Sequence, residues 1–256
     1  MALSGGADSS VLLGALIRAG QEVTAATFAS PLHPGGELEA AKRLTARLGV
    51  AHVVIPEKPL ADPDFAANPP ERCYLCKKRR LDALGRLSRE RGLAFCLAGT
   101  LASDLAAYRP GLKASAEAGA LTPLAAAGFD KDDVFALGRW LGLEEWLQPA
   151  SACLASRVVY HQPLTAELLD AISRAEELVC RVAGAALGAI RVRVHGRLAR
   201  IELEPEALPA LLEPAGRVEV ADGLRRLGFV YVTVDLAGFS SGSMDRLLKE
   251  AADGPL

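Results

Sequence analysis

The 256-residue sequence has no apolar run approaching the ~20 residues that a membrane-spanning helix needs, and its first residues lack the basic and apolar segments of a signal peptide. Both absences predict a cytoplasmic protein that does not contact a membrane. Lysine and arginine total 29 against 31 acidic residues, so the net charge is −2 and no broad basic face for nucleic acid is expected. No internal repeat or low-complexity tract is present, which excludes a repeat architecture.

The five cysteines are an odd number, which does not fit a disulfide framework in a cytoplasmic chain. They predict metal ligands, thiol chemistry or reduced structural thiols instead. Cys96 and Cys180 lie among apolar residues, which favours buried packing. The candidates for chemistry are therefore Cys73, Cys76 and Cys153.

Helix-like and strand-like runs alternate over the first half of the chain. The expected helices begin at residue 9 and cover 36–48, 77–91 and 131–141, and the expected strands cover 22–28, 51–55 and 93–99. This alternation predicts an α/β fold, a parallel sheet covered by helices with ligands at the carboxyl ends of its strands. Only Met1-Ala2-Leu3 precedes the first turn, so the strand before that turn is expected to be clipped.

The second half alternates differently and predicts a smaller α+β domain. Its expected helices cover 165–183, 208–212 and 221–227, and its expected strands cover 190–194, 199–203 and 230–235. Between the two halves, residues 148–157 read Gln-Pro-Ala-Ser-Ala-Cys-Leu-Ala-Ser-Arg, which is too irregular to predict a regular element. We interpret this stretch as a connector that carries function.

A glycine-rich turn, Ser4-Gly5-Gly6-Ala7-Asp8-Ser9-Ser10, precedes an apolar helix. Such a turn gathers backbone N–H groups and the positive end of the helix dipole, which suits phosphate, and glycine lets the anion approach closely. Ser9 and Ser10 add hydroxyl donors, and Asp8 is placed to hold a bridging Mg²⁺. No Gly-Lys-Ser/Thr follows, which excludes a Walker P-loop. The motif predicts a nucleotide site, and the alternative is an ordinary turn with an N-cap residue.

Cys73 and Cys76 form a CxxC pair that we expect in a loop just before a helix. Two thiolates at this spacing can bind one metal, form a redox disulfide or hold two corners of an iron–sulfur cluster. The plainer alternatives are a structural zinc half-site or coincidence. With Cys153 as a third ligand, a 4Fe–4S cluster would keep one iron open for an exogenous ligand such as sulfide.

Arg191 and Arg193 alternate within a predicted strand and therefore point to the same face. Two guanidinium groups on one face suit a phosphate or carboxylate of a substrate. The alternative is a solvated cross-strand network of charges that includes Glu202.

The glycine-rich turn resembles the SGGxDS signature of PP-loop ATP pyrophosphatases, which cleave ATP to AMP and pyrophosphate. Nearly the whole chain resembles the LarE family, ATP-dependent sulfur transferases in the assembly of the nickel-pincer nucleotide cofactor of lactate racemase. The residues that carry this resemblance are PERCYLCKK at 70–78, Gly99-Thr100, YRPGLK at 108–113, CLASR at 153–157, RVRVHG at 191–196, ARIE at 199–202 and Asp235-Leu236.

The LarE resemblance implies adenylation of a carboxylate of pyridinium-3,5-biscarboxylic acid mononucleotide with ATP and Mg²⁺, then sulfur transfer to give a thiocarboxylate. Family members use either the sulfur of one cysteine, which is sacrificed, or a 4Fe–4S cluster on three cysteines with sulfide on the open iron. Cys153 matches the cysteine shared by both types, and the presence of Cys73 and Cys76 resembles the cluster type. The resemblance also implies a sulfide donor and a homo-oligomer, hexameric in relatives.

The same resemblance assigns the other site residues and three regions, 1–148 for the PP-loop domain, 149–163 for the cysteine-bearing connector and 164–256 for the substrate-binding and oligomerisation domain. It implies ATP binding by Ser4, Gly5, Gly6, Asp8, Ser9, Ser10, Ser30, Gly99 and Thr100. It implies substrate binding by Arg109, Lys113, Ser156, Arg157, Glu176, Arg191, Arg193 and Glu202.

The sequence departs from the family pattern at two places. GTLASD at 99–104 stands where the family has GTNxDD, and the acidic residue expected shortly after Glu202 has only Glu204 and Glu206 as candidates.

Three other functions fit parts of the sequence. A PP-loop tRNA thiolase would need a basic surface and an RNA-binding domain. A PP-loop amide-forming synthetase would have no use for three placed cysteines. A nucleotide-binding regulatory protein would use the CxxC pair as a structural zinc site and would release no pyrophosphate with the carboxylate substrate.

Overall fold

The computed structural model describes residues 1–33, 36–105, 110–147, 152–185, 189–240 and 242–246. Within them the helices are α1 (Ala7–Arg18), α2 (Glu37–Leu48), α3 (Pro63–Ala66), α4 (Arg72–Glu90), α5 (Ala102–Leu105), α6 (Pro110–Glu117), α7 (Pro123–Ala126), α8 (Lys131–Trp140), α9 (Ala166–Ala183), α10 (Leu208–Leu212) and α11 (Pro214–Arg226). The strands are β1 (Thr24–Ala29), β2 (Ala51–Pro56), β3 (Arg191–His195), β4 (Leu198–Glu202) and β5 (Tyr231–Val234). No described helix is long and apolar enough to cross a membrane.

The chain divides into two compact units. The first comprises Met1–Ser30, Gly35–Pro59 and Glu71–Ser151, and the second comprises Pro31–Pro34, Leu60–Pro70 and Ala152–Leu256. Two short segments from the first half of the sequence therefore belong to the second unit.

The first unit contains the parallel pair β1 and β2, with Ala25 opposite His52. Ahead of the glycine-rich turn, Ala2 forms an isolated parallel bridge to Ala26 of β1. The Ala2 N–H also donates to the Leu97 carbonyl at 2.9 Å, so Ala2 lies between β1 and the segment that contains Leu97. Parallel strands covered by helices confirm the α/β fold class.

The strand expected over 93–99 is wrong. Leu97 forms only an isolated parallel bridge to Leu121, and no regular strand is assigned there. The segment is apolar, as a buried strand would be, so its local composition does not explain why no strand forms. A strand is defined by its pairing partners, and those partners cannot be read from local sequence.

Helices α1 and α8 cross closely in the core of the first unit. A Cβ atom at Gly138 would lie 3.0 Å from Val11 Cγ2, so glycine permits the approach. Val11, Leu13 and Val134 are fully buried between these helices and their neighbours. This packing fixes the N-terminus of α1, and with it the glycine-rich turn.

The second unit contains a three-stranded sheet in the order β3-β4-β5, antiparallel between β3 and β4 and parallel between β4 and β5. Helix α9 packs on this sheet through Ile172 and Val179, both fully buried, and ends at Gly184 in the left-handed conformation. The α+β organisation is confirmed. Helix α11 begins at Pro214, well before the expected residue 221, because proline suits the first turn of a helix.

Candidate active site

The glycine-rich turn is closed by hydrogen bonds between its own serines. Ser4 Oγ and Ser9 Oγ are 3.0 Å apart, the Ser4 N–H donates to Ser9 Oγ at 3.1 Å, and the Gly6 N–H donates to Ser4 Oγ at 3.3 Å. Gly5 has φ of 86°, and a Cβ atom there would overlap the Glu37 carbonyl oxygen, so only glycine fits. The turn is therefore a preformed cradle at the N-terminus of α1.

The Ser10 hydroxyl is buried without a hydrogen-bond partner among the described residues. A buried polar atom that lacks a partner is costly, and such atoms are concentrated at functional sites. Gly99 lies against the same turn, since a Cβ atom there would be 3.0 Å from the Ser9 Cα. Thr100 is buried next to it, and Ser30 follows the carboxyl end of β1.

Asp8, the expected Mg²⁺ ligand, accepts a hydrogen bond from the Lys131 ammonium at 2.6 Å. Both side chains are partly exposed, at 27% for Asp8 and 38% for Lys131. Lys131 is the first residue of α8, which starts with a reciprocal capping box between Asp130 and Asp133. A carboxylate and an ammonium thus meet beside the glycine-rich turn, and these are the groups that could bind a divalent cation and a phosphate respectively. The contact of Lys131 with Asp8 was not predicted from the sequence, because the two residues are 123 positions apart.

Glu37 begins α2 against the same turn. Burial raises the pKa of its carboxyl from 4.5 to about 7, although nearby Arg80 opposes the rise. A carboxyl with this pKa is about half neutral at pH 7, and its neutral form repels anions less than its ionised form does. The position of Glu37 was also not predicted, because an acidic residue in the first turn of a helix is usually exposed.

The CxxC pair lies inside α4, not in a loop before it, so that prediction is wrong. The helix starts at Arg72, with the Leu75 N–H donating to the Glu71 carbonyl at 3.0 Å. Pro70 disfavours helix at the residue before it but leaves the next residues unrestricted. Cys73 is exposed and Cys76 is half-buried, three residues apart and thus on neighbouring turns.

Helix α6 packs along the N-terminal turns of α4. Tyr74 donates a hydrogen bond from its hydroxyl to Glu117 at 2.8 Å, and the Lys113 ammonium lies 5.5 Å from the Tyr74 ring centroid. Lys113 is well exposed, so its ammonium is accessible to a ligand. Arg109, the other predicted substrate residue of this region, lies outside the described residues.

In the second unit, Arg157 holds the loop that carries Cys153. Its Nη1 donates to the Ala152 carbonyl at 2.9 Å and to the Cys153 carbonyl at 3.3 Å. The Ser156 hydroxyl also donates to the Cys153 carbonyl, at 2.7 Å. The stretch judged irregular contains a short 3₁₀ helix, Leu154–Arg157, and Cys153 is its half-buried N-cap residue.

Arg157 and Glu176 form a buried two-pronged ion pair, with N–O distances of 2.8 and 3.1 Å. Arg157 is only 1% exposed. The Val192 N–H donates to the same Glu176 carboxylate at 3.0 Å, which connects α9 to β3. These two residues, predicted to bind substrate, thus support the cysteine loop as well.

Arg193 and Glu202 form a second buried ion pair, at 2.9 Å, and Arg193 also donates to the Ser156 carbonyl at 3.1 Å. Glu202 is fully buried and accepts further hydrogen bonds from Ser243 at 2.6 Å and Arg200 at 3.1 Å. The alternative, a solvated cross-strand network of charges, is wrong because Arg193 and Glu202 are buried.

Arg191 lies on the same face of β3 as Arg193, as expected from their alternation, and both are buried. Its guanidinium stacks 5.2 Å from the Phe239 ring centroid, and burial together with Arg157 lowers its pKa to about 10. Glu204 and Glu206 are exposed, whereas Asp235 accepts from Arg200 at 2.7 Å. Asp235, directly after β5, is therefore a second acidic partner of Arg200, which also contacts Glu202.

The five cysteines are all unbridged thiols that differ in their burial. None of the five cysteines, all of which are described, forms a disulfide. Cys180 is buried as predicted, but Cys96 is half-buried, so full burial was wrong for it. Among the described residues, no three or more cysteine, histidine or acidic side chains are grouped closely enough to hold a metal ion. Cys73 and Cys76 belong to the first unit and Cys153 to the second.

A preformed phosphate cradle at a helix N-terminus, beside parallel strands, defines a nucleotide-binding α/β protein of the PP-loop class. The family model described as queuosine biosynthesis protein QueC matches residues 1–62. Pyridinium-3,5-bisthiocarboxylic acid mononucleotide synthase of Lactiplantibacillus plantarum is 38% identical over 98% of this chain and 90% of its own length. The chain belongs to the LarE family, of which that synthase is a member.

The chain is also similar to one further curated protein and to one solved structure. The uncharacterized protein slr1717 of Synechocystis sp. is 36% identical over 97% of this chain and 92% of its own length. The structure of NMN synthetase from Francisella tularensis covers 89% of this chain and 83% of that chain, with 17% identity and a TM-score of 0.49.

Proposed function

We propose that this chain is an ATP-dependent sulfur transferase that adenylates a carboxylate of pyridinium-3,5-biscarboxylic acid mononucleotide and converts the adenylate into a thiocarboxylate. The observation that carries the proposal is the preformed glycine-rich turn at the N-terminus of α1, in which the Ser10 hydroxyl is buried without a partner among the described residues. Membership of the LarE family supplies the substrate class.

Adenylation begins with ATP bound by its phosphates in the turn. The Lys131 ammonium offsets charge on the departing pyrophosphate, and Asp8 would hold Mg²⁺, whose charge would further stabilise the leaving group. A substrate carboxylate oxygen attacks the α-phosphorus, the bond from that phosphorus to the bridging oxygen breaks, and pyrophosphate leaves. The product is an acyl adenylate, in which AMP is a good leaving group.

Sulfur transfer follows at the acyl carbon. Hydrosulfide attacks that carbon, a C–S bond forms, the C–O bond to AMP breaks, and one proton is released, which leaves a thiocarboxylate and AMP. We propose that Cys73, Cys76 and Cys153 hold a 4Fe–4S cluster whose open iron carries the sulfide. Cys73 and Cys76 fit two corners of such a cluster because they are accessible and one turn apart at a helix N-terminus.

The second unit is assigned to substrate binding. Arg191, with Lys113 and Arg109 of the first unit, supplies cationic groups for the phosphate and carboxylates of the substrate. We assign residues 1–148, apart from the segments 31–34 and 60–70 of the second unit, to nucleotide chemistry, 149–163 to the connector and 164–256 to substrate binding and assembly. The protein is proposed to act in the cytoplasm as a homo-oligomer supplied by a sulfide donor.

The decisive experiment combines metal analysis with two assays on protein purified without oxygen. Iron and acid-labile sulfide should be present in equal amounts after reconstitution, and pyrophosphate should be released from ATP only with the dicarboxylate nucleotide. Cys73→Ala, Cys76→Ala and Cys153→Ala should each abolish thiocarboxylate formation and retain pyrophosphate release, whereas Asp8→Asn should lose pyrophosphate release. Cys96→Ala is the matched control and should retain both.

Each contrary result has a defined meaning. Loss of transfer in Cys153→Ala alone, with conversion of Cys153 to dehydroalanine in the wild type, would replace the cluster by a sacrificial cysteine. Zinc, or no metal after reconstitution, would overturn the cluster. Absence of pyrophosphate release would overturn the enzyme and favour a nucleotide-binding regulatory protein.

A further inference from the structure

The ion pair between Arg80 and Glu57 has no part in the chemistry described above. Arg80 Nε lies 3.0 Å from both carboxylate oxygens, and Nη2 lies 2.6 Å from Oε2. The two side chains are only 21% and 16% exposed. A forked contact in a partly desolvated place fixes direction as well as distance, unlike a single surface ion pair.

This pair lies at the ligand edge of the first unit. Glu57 directly follows β2, and its N–H donates to the Ala29 carbonyl at 2.8 Å, so its carboxylate stands at the carboxyl ends of both parallel strands. The Arg80 guanidinium also lies 5.5 Å from the ring centroid of Phe28 in β1. Ligands of parallel α/β sheets bind at this edge.

Arg80 is on the helix that carries the CxxC pair. Cys76 precedes it by four residues, so both lie on one face of α4, one turn apart. Contacts with α6 involve a different stripe of α4, where Tyr74 reaches Glu117 and a Cβ atom at Gly111 would be 3.6 Å from Lys77 Cβ. The ion pair with Glu57 therefore anchors α4 through a residue on the Cys76 face, one turn beyond Cys76.

We infer that Arg80 and Glu57 are positioning residues for the sulfur-transfer step, because their ion pair turns the Cys76 face of α4 towards the ligand edge. The catalytic consequence rests on the proposed function, whereas the orientation of the thiol does not. The glycine-rich turn is built from other residues, and Glu57→Gln retains the Arg80 charge that lowers the pKa of Glu37 beside the turn, so adenylation should be unchanged in Glu57→Gln.

The test uses the full chain and measures two independent quantities. The first is the rate at which iodoacetamide alkylates Cys76, followed by peptide mass spectrometry with Cys96 as the internal reference. Arg80→Met and the near-isosteric Glu57→Gln should each change this rate at least about threefold, and the double variant should match the single ones, because residues that act as a pair are not additive. Arg86→Met, an exposed arginine on the same helix, is the matched control.

The second quantity is activity. In both variants kcat for thiocarboxylate formation should fall about tenfold or more, and in Glu57→Gln pyrophosphate release and KM for ATP should be unchanged. An unchanged Cys76 alkylation rate in folded Glu57→Gln would overturn the inference, as would a parallel fall of both activities. A wild type that releases no pyrophosphate would overturn the proposed function, and altered Cys76 alkylation would then still support the orientation of the thiol.

Discussion

At the residue scale, Glu37 carries a proton in the folded chain at pH values where the unfolded chain is ionised, since burial raises the pKa of its carboxyl from 4.5 to about 7. The folded state thus binds more protons between these values, and this contribution to stability is full below about pH 4.5 and lost as pH rises towards 7. Glu37→Gln is neutral at every pH. The melting temperature of the wild type should therefore fall, relative to that of the variant, over this window.

Thermal melts followed by circular dichroism at several pH values would measure this difference. Glu39→Gln, an exposed residue of the same helix, is the control and should track the wild type. A constant gap between the wild type and Glu37→Gln across the window would contradict the raised pKa.

Lys131 provides a second prediction at this scale. Lys131→Met removes the cation beside Asp8, and hydrogen bonds to charged groups are worth about 1.5–3 kcal/mol, so pyrophosphate release should slow about 10- to 100-fold. Lys131→Arg should retain part of the rate, and the exposed Lys42→Met should retain all of it. Equal rates in Lys131→Met and the wild type would exclude Lys131 from the nucleotide site.

Spacing in the sequence predicted the glycine-rich turn, because all of its hydrogen bonds connect residues within five positions of one another. Glu37, Arg80 and Lys131 were not predicted. Glu37 and Lys131 contact the turn from separate helices, and Arg80 contacts Glu57 and Phe28 at the carboxyl ends of β2 and β1. Nothing near these residues in sequence indicates those contacts.

At the element scale, the CxxC helix illustrates a boundary that propensity misplaces. Cys73 and Tyr74 are only average helix formers, and the helix was expected to begin around Lys77. Packing of α6 through Tyr74 and Gly111 supplies the stabilisation that the local residues lack. As a result, both cysteines acquire fixed directions on a helix.

The buried ion pairs between β3, α9 and the cysteine loop give a prediction about stability. Arg157→Met leaves the Glu176 carboxylate buried without its cation, which should cost about 3–5 kcal/mol in urea unfolding. Arg174→Met breaks an exposed pair with Asp170 on the same helix as Glu176 and should cost less than about 1 kcal/mol. Comparable losses in the two variants would show that the Arg157 pair is not desolvated.

At the scale of the whole molecule, the second unit is assembled from separated parts of the chain. Asn68 is fully buried, and its amide donates to the carbonyls of Val159 at 2.9 Å and Gln162 at 3.1 Å. Phe65 of α3 is 2% exposed in the same unit. A segment from the first third of the sequence thus contributes to the core around the second sheet.

Phe65→Ala should therefore destabilise the second unit. Removal of a buried phenylalanine side chain costs about 3–5 kcal/mol. Hydrogen exchange measured by mass spectrometry should accelerate in β3 to β5 and change little in α1 and β1. Phe95→Ala, at a residue that is 66% exposed, is the control. Faster exchange in α1 and β1 alone would assign Phe65 to the first unit.

The sequence by itself determined the fold class, the order of most elements and the position of the glycine-rich turn, because these depend on local periodicity, turn chemistry and spacing. Only the tertiary structure decided that Lys131 meets Asp8, that Arg157 and Arg193 hold the Cys153 loop, and that residues 60–70 join the second unit. Those features depend on which distant surfaces bury one another. That choice is made by packing and desolvation over the whole chain, which no short stretch of sequence encodes.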